Sequence, residues 1–506
     1  MARTVVVGLD GATRRLVDRW IEAGELPTLA KILNQGVSGE LESVLPPVTS
    51  PNWKAYATGK NPGKIGVFWW QNIDVKAQIS HLPVERYHNN DEYWELLADD
   101  YRVGVLNVPT TYPPKPVGEF LIAGPPDGAN TGYTHPPSLE SRLETDFEYQ
   151  VRKNRHLKTG DDAAFEEVLE LIDLRFRVAK QLAEEHDLDF LQVTTFYLNS
   201  LHHHLWDDEY VKRGWKIVDH HLSEFLKEDD NLVLMSDHGH SEIETVWYLN
   251  NWLAQEGYLQ YDSNVTDSLY TLGINSDRLK RLLSRANARL SGVDLEAKVT
   301  DLAPGWLINR LPNEEGELGG SKFDILDWER TDALASAQGP VYLTADPDSV
   351  RYEEIRSELI DRFEKLRGPD GRPLVREVYR KEAVFEGPYL DEAPDIMIDK
   401  APHVNIRENL GGDQLFARSD DSWNGVNRRE GLFAAVGPAF SEGSIEGLSI
   451  LDLAPTLLHM HGQRVPEDMD GEVRREVFAI DSAPATTSPT YRSVRTPPTQ
   501  AAPQTD

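Results

Sequence analysis

Three acidic or imidazole-bearing segments of this chain each follow a short apolar run. Asp10 ends "TVVVGLD", Asp237 and His238 end "NLVLMSDHG", and His203 lies beyond "FLQVTT" in "FYLNSLHHHLW". Carboxylates and imidazoles in this mixture suit a borderline divalent cation such as zinc or manganese. A fourth segment, "PPVTSPNWKAYATGK", sets two hydroxyls, Thr49 and Ser50, at the entrance of a short helix, with Pro51 suited to its first turn. Two accounts fit it. Either a hydroxyl caps the helix, or one of them is a nucleophile held where free N–H groups and the helix dipole attract an anion such as phosphate. Asn52, Lys60 and Lys64 stand close enough in sequence to touch that phosphate.

Taken one at a time, these residues have ordinary explanations. Asp10 alone reads as a strand-end turn, and Asp237-His238-Gly239 reads as another. No two of His202, His203 and His204 share a helical face, so at most one or two of them point into a site. Lysines on a loop are usually solvated. The joint appearance of these groups at strand ends carries more weight, because ligands of parallel α/β sheets gather at the carboxyl ends of the strands.

The elements that would position them alternate. The strand "TVVVGLD" leads to a helix through "LPTLAKILNQG", then "EYWELLADD" (helix) and "VGVLNVP" (strand) repeat the pattern. Phe165, Val168, Leu169, Ile172, Phe176, Ala179 and Leu182 keep helical spacing, as do Val211, Trp215, Val218, Leu222 and Phe225. Alternation of this kind predicts an α/β fold, a mostly parallel central sheet with helices on both faces. The pattern breaks between Asp262 and Arg330, where "INSDRLKRLLSRANARL" is basic and helical, and resumes at "GPVYLTAD". We therefore expect a core over 1–261, an inserted cap over 262–330 and more core over 331–481. A Pro/Ser/Thr-rich tail over 482–506 is expected to be disordered.

Composition narrows the partners. The 506 residues carry a formal net charge of −32, and such a surface repels duplex nucleic acid and anionic membranes. It suits high salt, where screening removes self-repulsion. There is no cysteine, which excludes disulfides, thiolate metal sites and cysteine nucleophiles. No apolar run approaches a membrane span, and "MARTVVVGLDG" lacks the features of a secretory signal. The expectation is a cytoplasmic protein acting on a small molecule.

The pieces "VVVGLDGAT", "LPTLAKILNQGVSGELESVLPPVTSPNWKAYATGKNPGKIGVF", "GVLNVPTTYPP", "VLMSDHGH", "YLNNWLAQEGYL", "VYRKEAVFEGPYLDEAPDIMI" and "LDLAPTLLHMHGQRVPEDMDG" fall in order from residue 4 to about 472. Together they resemble the type I phosphodiesterase/nucleotide pyrophosphatase branch of the alkaline phosphatase superfamily. The resemblance implies an alkaline-phosphatase-like fold and a phosphoric ester hydrolase with one or two divalent metals, Zn2+ first and Mn2+ as the alternative. It implies that Thr49 is the nucleophile, with Ser50 second in line, and that a covalent phospho-threonine forms and is hydrolysed. Asp10, Thr49, Asp237 and His238 match the ligands of one metal.

The match departs from the family pattern at the second metal. The Asp and His expected four residues apart align with Asn199 and His203, with Trp206 in register, and a distant His aligns with Asn427 in "NRREGLF". Three accounts follow. Neighbours such as His202, His204, His240 or His403 rebuild the site, one metal suffices, or the chain is a degenerate member that binds a phosphate ester without turnover. A sulfatase fits less well, because "TSPNW" lacks the Arg of the sulfatase frame. A cofactor-independent phosphoglycerate mutase would need a Ser nucleophile and a different insertion.

Overall fold

Short runs of β-branched residues form the middle of a mixed sheet. The computed structural model describes residues 2–158, 160–262, 323–418 and 423–493. Thr4–Leu9 is buried along its whole length. It pairs in parallel with Phe190–Thr195 on one side and Asn231–Met235 on the other. Uniformly apolar strands of this type are stable only where both faces are covered. Across the sheet the order is Gly443–Ser444, Val37–Glu42, Glu430–Val436, Asn231–Met235, Thr4–Leu9, Phe190–Thr195, Val103–Leu106, Phe120–Ile122 and Thr134–His135. The sheet is mostly parallel, as expected, with two exceptions. Glu430–Val436 runs antiparallel to both neighbours, and Thr134–His135 runs antiparallel at the far edge.

Strand alternation assigns the two faces. Gly8 and Thr194 are register partners and share a face with Gln192. Here the helix Thr49–Thr58 packs: the Tyr56 hydroxyl donates to Gln192 Oε1 at 2.6 Å, and a Cβ on Gly8 would lie 2.5 Å from the Trp53 ring. The helices Asp162–Glu185 and Glu209–Phe225 pack on each other, and the first of them lies against Phe190–Thr195 and Val103–Leu106. They bury the residues whose spacing predicted them, from Phe165 to Leu182 and from Val211 to Phe225.

A second, antiparallel sheet orders Ala333–Ala335, Pro340–Leu343, Ile396–Lys400 and Val375–Arg380 around its own apolar core, which includes Trp247, Trp252, Tyr352, Phe363 and Ile398. Two short ribbons join it to the main sheet. Gly239–Glu242 pairs with Gly425–Arg428, and Thr245–Tyr248 lies between Val404–Arg407 and Phe416–Ala417. The ends of the strands carrying Asp237 and Lys400 therefore meet at one seam.

Of the expected cap, 263–322 lie outside the described residues, while Phe323 and Leu326 pack into the second core. The composition of the tail predicts disorder from Ser482, but its described part is held. Ser482 caps a short helix, Ala483–Thr486. Tyr491–Arg492 pairs with Val465–Pro466, and His459 Nε2 donates to the Pro484 carbonyl at 2.8 Å. Backbone pairing and one imidazole here outweigh the local composition. No helix among the described residues is long and apolar enough to cross a membrane.

Candidate active site

Asp10 and Asp237 follow adjacent parallel strands, so the strand ends bring them together. One ligand atom from each of Asp10, Asp237 and His238 falls within a 4.8 Å cluster. His238 Nε2 lies 3.2 Å from Asp237 Oδ2 and 3.8 Å from Asp10 Oδ1, and all three side chains are fully buried. One oxygen of each carboxylate is held by a donor. Gly11 N–H reaches Asp237 Oδ1 at 3.1 Å, and Trp53 Nε1–H reaches Asp10 Oδ2 at 2.8 Å. Gly11 has φ +70°, and a Cβ there would lie 2.5 Å from His240 Nδ1, so only glycine fits.

The remaining oxygens, Asp10 Oδ1 and Asp237 Oδ2, are buried without a hydrogen-bond partner. His238 Nδ1 donates to the Gly239 carbonyl at 3.1 Å, which leaves the lone pair of Nε2 facing the same point. Three side-chain acceptor atoms therefore converge on one point, a donor set that fits a divalent cation. The electrostatics agree. Burial pushes both carboxyls above their usual range, and the Asp237 charge raises Asp10 further, while Trp53 and Thr49 pull it partly back. Burial lowers His238 to about 3, with the nearby Lys400 charge adding to the effect. A bound cation would favour the ionised carboxylates that burial alone disfavours.

Thr49 opens its helix, yet neither hydroxyl caps it. The N-cap is Val48, and no side chain accepts from the first turn. Thr49 Oγ1 lies 3.4 Å from His238 Nε2, at the cluster. Ser50 Oγ instead meets the Tyr87 hydroxyl at 3.3 Å. Residues four apart share a helical face, so Thr49 reaches the cluster together with Trp53. The spacing is readable in "TSPNW", where the tryptophan stands four residues after the threonine.

Asn52 and the two lysines have other partners. Asn52 Nδ2 donates to the Pro46 and Val48 carbonyls, and its Oδ1 accepts from Val44 N–H. Both amide hydrogens are thus used to brace the loop ahead of the helix. Lys60 pairs with Asp468 at 2.6 Å, and Lys64 pairs with Asp470.

The second-site positions gather around a residue that the sequence offered only as one of several substitutes. His240 is the register partner of Asn427. Its Nε2 lies 3.4 Å from His203 Nδ1, and its ring centroid is 5.4 Å from that of His238. Asn199 Oδ1 and Asn427 Oδ1 are both buried without a hydrogen-bond partner, and Asn199 adjoins the same Gly11 position as His240. His202 is neutral structural material: Nδ1 donates to the Gly11 carbonyl at 3.1 Å, and Nε2 accepts from Trp215 at 3.0 Å. His204 bonds the Ser200 carbonyl one turn back. The carbonyl of His403 receives Glu244 and Thr245 N–H. Among the described residues, His203 and His240 belong to no group of three carboxylates or imidazoles that could hold a metal. A different trio, His220, His221 and Glu224, is already tied into ion pairs with Asp173 and Lys180.

Lys400, which no local sequence pattern marks, ends the strand Ile396–Lys400 with its ammonium buried. It donates to the Asn427 carbonyl, and burial lowers it to about 7.

Comparison with known proteins follows from this geometry. A family model described as type I phosphodiesterase/nucleotide pyrophosphatase matches residues 4–427. Among solved structures, phosphonoacetate hydrolase from Sinorhizobium meliloti 1021 in complex with phosphonoformate superposes with a TM-score of 0.55 at 15% identity. The match covers 90% of this chain and 94% of that one. The same enzyme in complex with phosphonoacetate gives 0.55 at 14% identity with the same coverage. At these identities the likeness is one of fold, and the fold is alkaline-phosphatase-like. Murine ectonucleotide pyrophosphatase/phosphodiesterase 5 in complex with AMP scores 0.45 at 13% identity over 91% of this chain and 94% of that one, too low to carry an argument. No curated protein matches the sequence.

Proposed function

We propose that this chain, which belongs to the type I phosphodiesterase/nucleotide pyrophosphatase family, is a metal-dependent phosphoric ester hydrolase, a phosphodiesterase or nucleotide pyrophosphatase with Thr49 as nucleophile. Family membership and the geometry of the cluster support this reading. The observation that carries this reading is the approach of Thr49 Oγ1 to the Asp10, Asp237 and His238 cluster. Asp10, Asp237, His238 and Thr49 would hold the ion, Zn2+ first and Mn2+ second. When bound, a divalent ion supplies a lowered hydroxyl pKa and charge neutralisation of the phosphate.

The chain's own groups account for the rest. Trp53 and Gly11 fix the carboxylates through the oxygens that face away from the convergence point. Gly239 fixes the His238 tautomer. The first turn of the Thr49–Thr58 helix has no side-chain cap, so its N–H groups are left for phosphoryl oxygens. Attack of Thr49 Oγ on phosphorus expels the leaving group and leaves a phospho-threonine, which water then cleaves. The test is hydrolysis of a phosphodiester dye substrate. It should be metal-dependent and absent in Thr49→Ala, and equal activity in that variant would sink the proposal.

Asn199 and Asn427 favour a second reading, because neither brings the charge that a second divalent ion needs. On that reading the chain is a one-metal member that binds a phosphate ester without turnover. Ligand binding would then survive Thr49→Ala, and the wild type would show no metal-dependent hydrolysis.

A further inference from the structure

Building on the hydrolase reading, we propose that Lys400 is a phosphate-binding residue, its buried amine donating, as the ammonium, to the phosphoryl group of the bound substrate. The argument begins with what surrounds it. The residue is 4% exposed, and its ammonium donates to a backbone carbonyl, that of Asn427. An ammonium has three donors, so two remain. Every other cation at this seam has a carboxylate: Arg376 and Arg428 both reach Glu430, at 2.6 and 2.7 Å, and Arg429 reaches Glu42 at 2.6 Å. Lys400 has no carboxylate within 4.0 Å among the described residues. Asp399, its neighbour along the strand, points to the other face and serves Arg376 and Arg429.

A buried charge without a counter-ion is costly, and a fold that keeps one has a partner to offer it. Lys400 lies against Asn427, which is paired with His240 across the ribbon that continues from His238. Its charge is felt at the His238 ring, and His238 is the residue that Thr49 Oγ1 approaches.

The charge balance indicates what that partner is. Asp10 and Asp237 together cancel one divalent ion. Asn199 and Asn427 bring no charge, and His202, His203, His238 and His240 are held neutral by burial. An anionic phosphate entering beside Thr49 would then meet the ion and the free helix N–H groups, with Lys400 as a further cation that no carboxylate among the described residues already pairs. The amide-for-carboxylate and amide-for-imidazole positions and the unpaired lysine become parts of one arrangement, in which an ammonium adds counter-charge to the phosphate.

The test uses the metal-loaded full chain and inorganic phosphate as the probe, titrated calorimetrically at one fixed KCl concentration. Lys400→Met should weaken phosphate binding roughly 10- to 100-fold, the size of one charge-assisted hydrogen bond. Its metal content should be unchanged, and its Tm should not fall, since an unpaired buried charge has been removed. Lys400→Gln keeps a donor for the Asn427 carbonyl but lacks the charge, so it should show the same loss and covers the case in which the methionine variant fails to fold. Lys400→Arg should restore most of the affinity. Phosphate affinity within twofold of wild type in either neutral variant overturns the proposal, as does a wild type that binds no phosphate. Dye hydrolysis by wild type is measured in parallel. Absent turnover with Lys400-dependent phosphate binding would remove the hydrolase reading and leave Lys400 in its role, whereas intact turnover with Lys400-independent binding would do the reverse.

Discussion

Trp53→Phe isolates one bond at the centre of the cluster. The indole donates to Asp10 Oδ2 at 2.8 Å, with both groups fully buried. Phenylalanine keeps an aromatic ring in the space above Gly8 and deletes the donor. A hydrogen bond to a charged group contributes about 1.5–3 kcal/mol, which at roughly 1.36 kcal/mol per decade is a factor of about 10 to 150 in an equilibrium constant. The usual effect of losing a group that orients a metal ligand, about 10–100-fold in affinity, falls in the same range. The bond also lowers the Asp10 pKa. Without it the carboxyl holds its proton more firmly, and a metal ion must displace that proton. The defect should therefore grow as pH falls. Metal affinity by chelator competition at two pH values, about one unit apart and both near neutrality, measures both effects. Thermal unfolding of the metal-free variant separates lost packing from lost ligation. A dissociation constant within twofold of wild type at both pH values would refute the assignment of Asp10 as a ligand oriented by Trp53.

Three further outcomes are expected. Because burial raises Asp10 and Asp237, metal binding near neutral pH should release about one to two protons per ion, and affinity should rise with pH. Calorimetry in buffers of different ionisation enthalpy reads that release, and none would count against the cluster. The pair Asn199→Asp and Asn427→His should raise metal content from one to two per chain by elemental analysis, and a value that stays at one would mean that His240 fills the space. Glu92→Gln breaks an ion pair with Lys54 in which both side chains are at most 2% exposed. It should cost about 3–5 kcal/mol in a urea unfolding titration, and a loss below about 1 kcal/mol would show that water reaches Lys54.

Much of the fold was legible because its strands and helices are buried in regular ways. "TVVVGL", "FLQVTT" and "NLVLM" are short, mostly apolar or β-branched runs that are buried throughout, and the residues from Phe165 to Leu182 keep a helical period. Asp10, Asp237 and His238 were legible because they sit at the ends of those strands. The polar ribbon "GHSE" against "GVNR" has no period to read, yet it is what places His240 beside His203 and brings Asn427 to Lys400. Those contacts link segments far apart in the chain, and no local pattern encodes them. The helix entrance is ambiguous for a different reason: a Thr-Ser pair before proline carries the same local signal whether its hydroxyl serves the backbone or a site.

The antiparallel strand Glu430–Val436 lies between Val37–Glu42 and Asn231–Met235, near the middle of the sheet. During synthesis both flanking strands leave the ribosome long before it, each with an open edge of unpaired backbone groups. The main sheet cannot close until nearly the whole chain has emerged. Pairings over such distances fold slowly, and open edges invite association with other chains in the interval. A chain truncated ahead of residue 430 should accordingly be recovered as aggregate, and refolding of the full chain should be slow and concentration-sensitive. The −32 charge would oppose that association by mutual repulsion between nascent chains, a benefit that salt screening reduces.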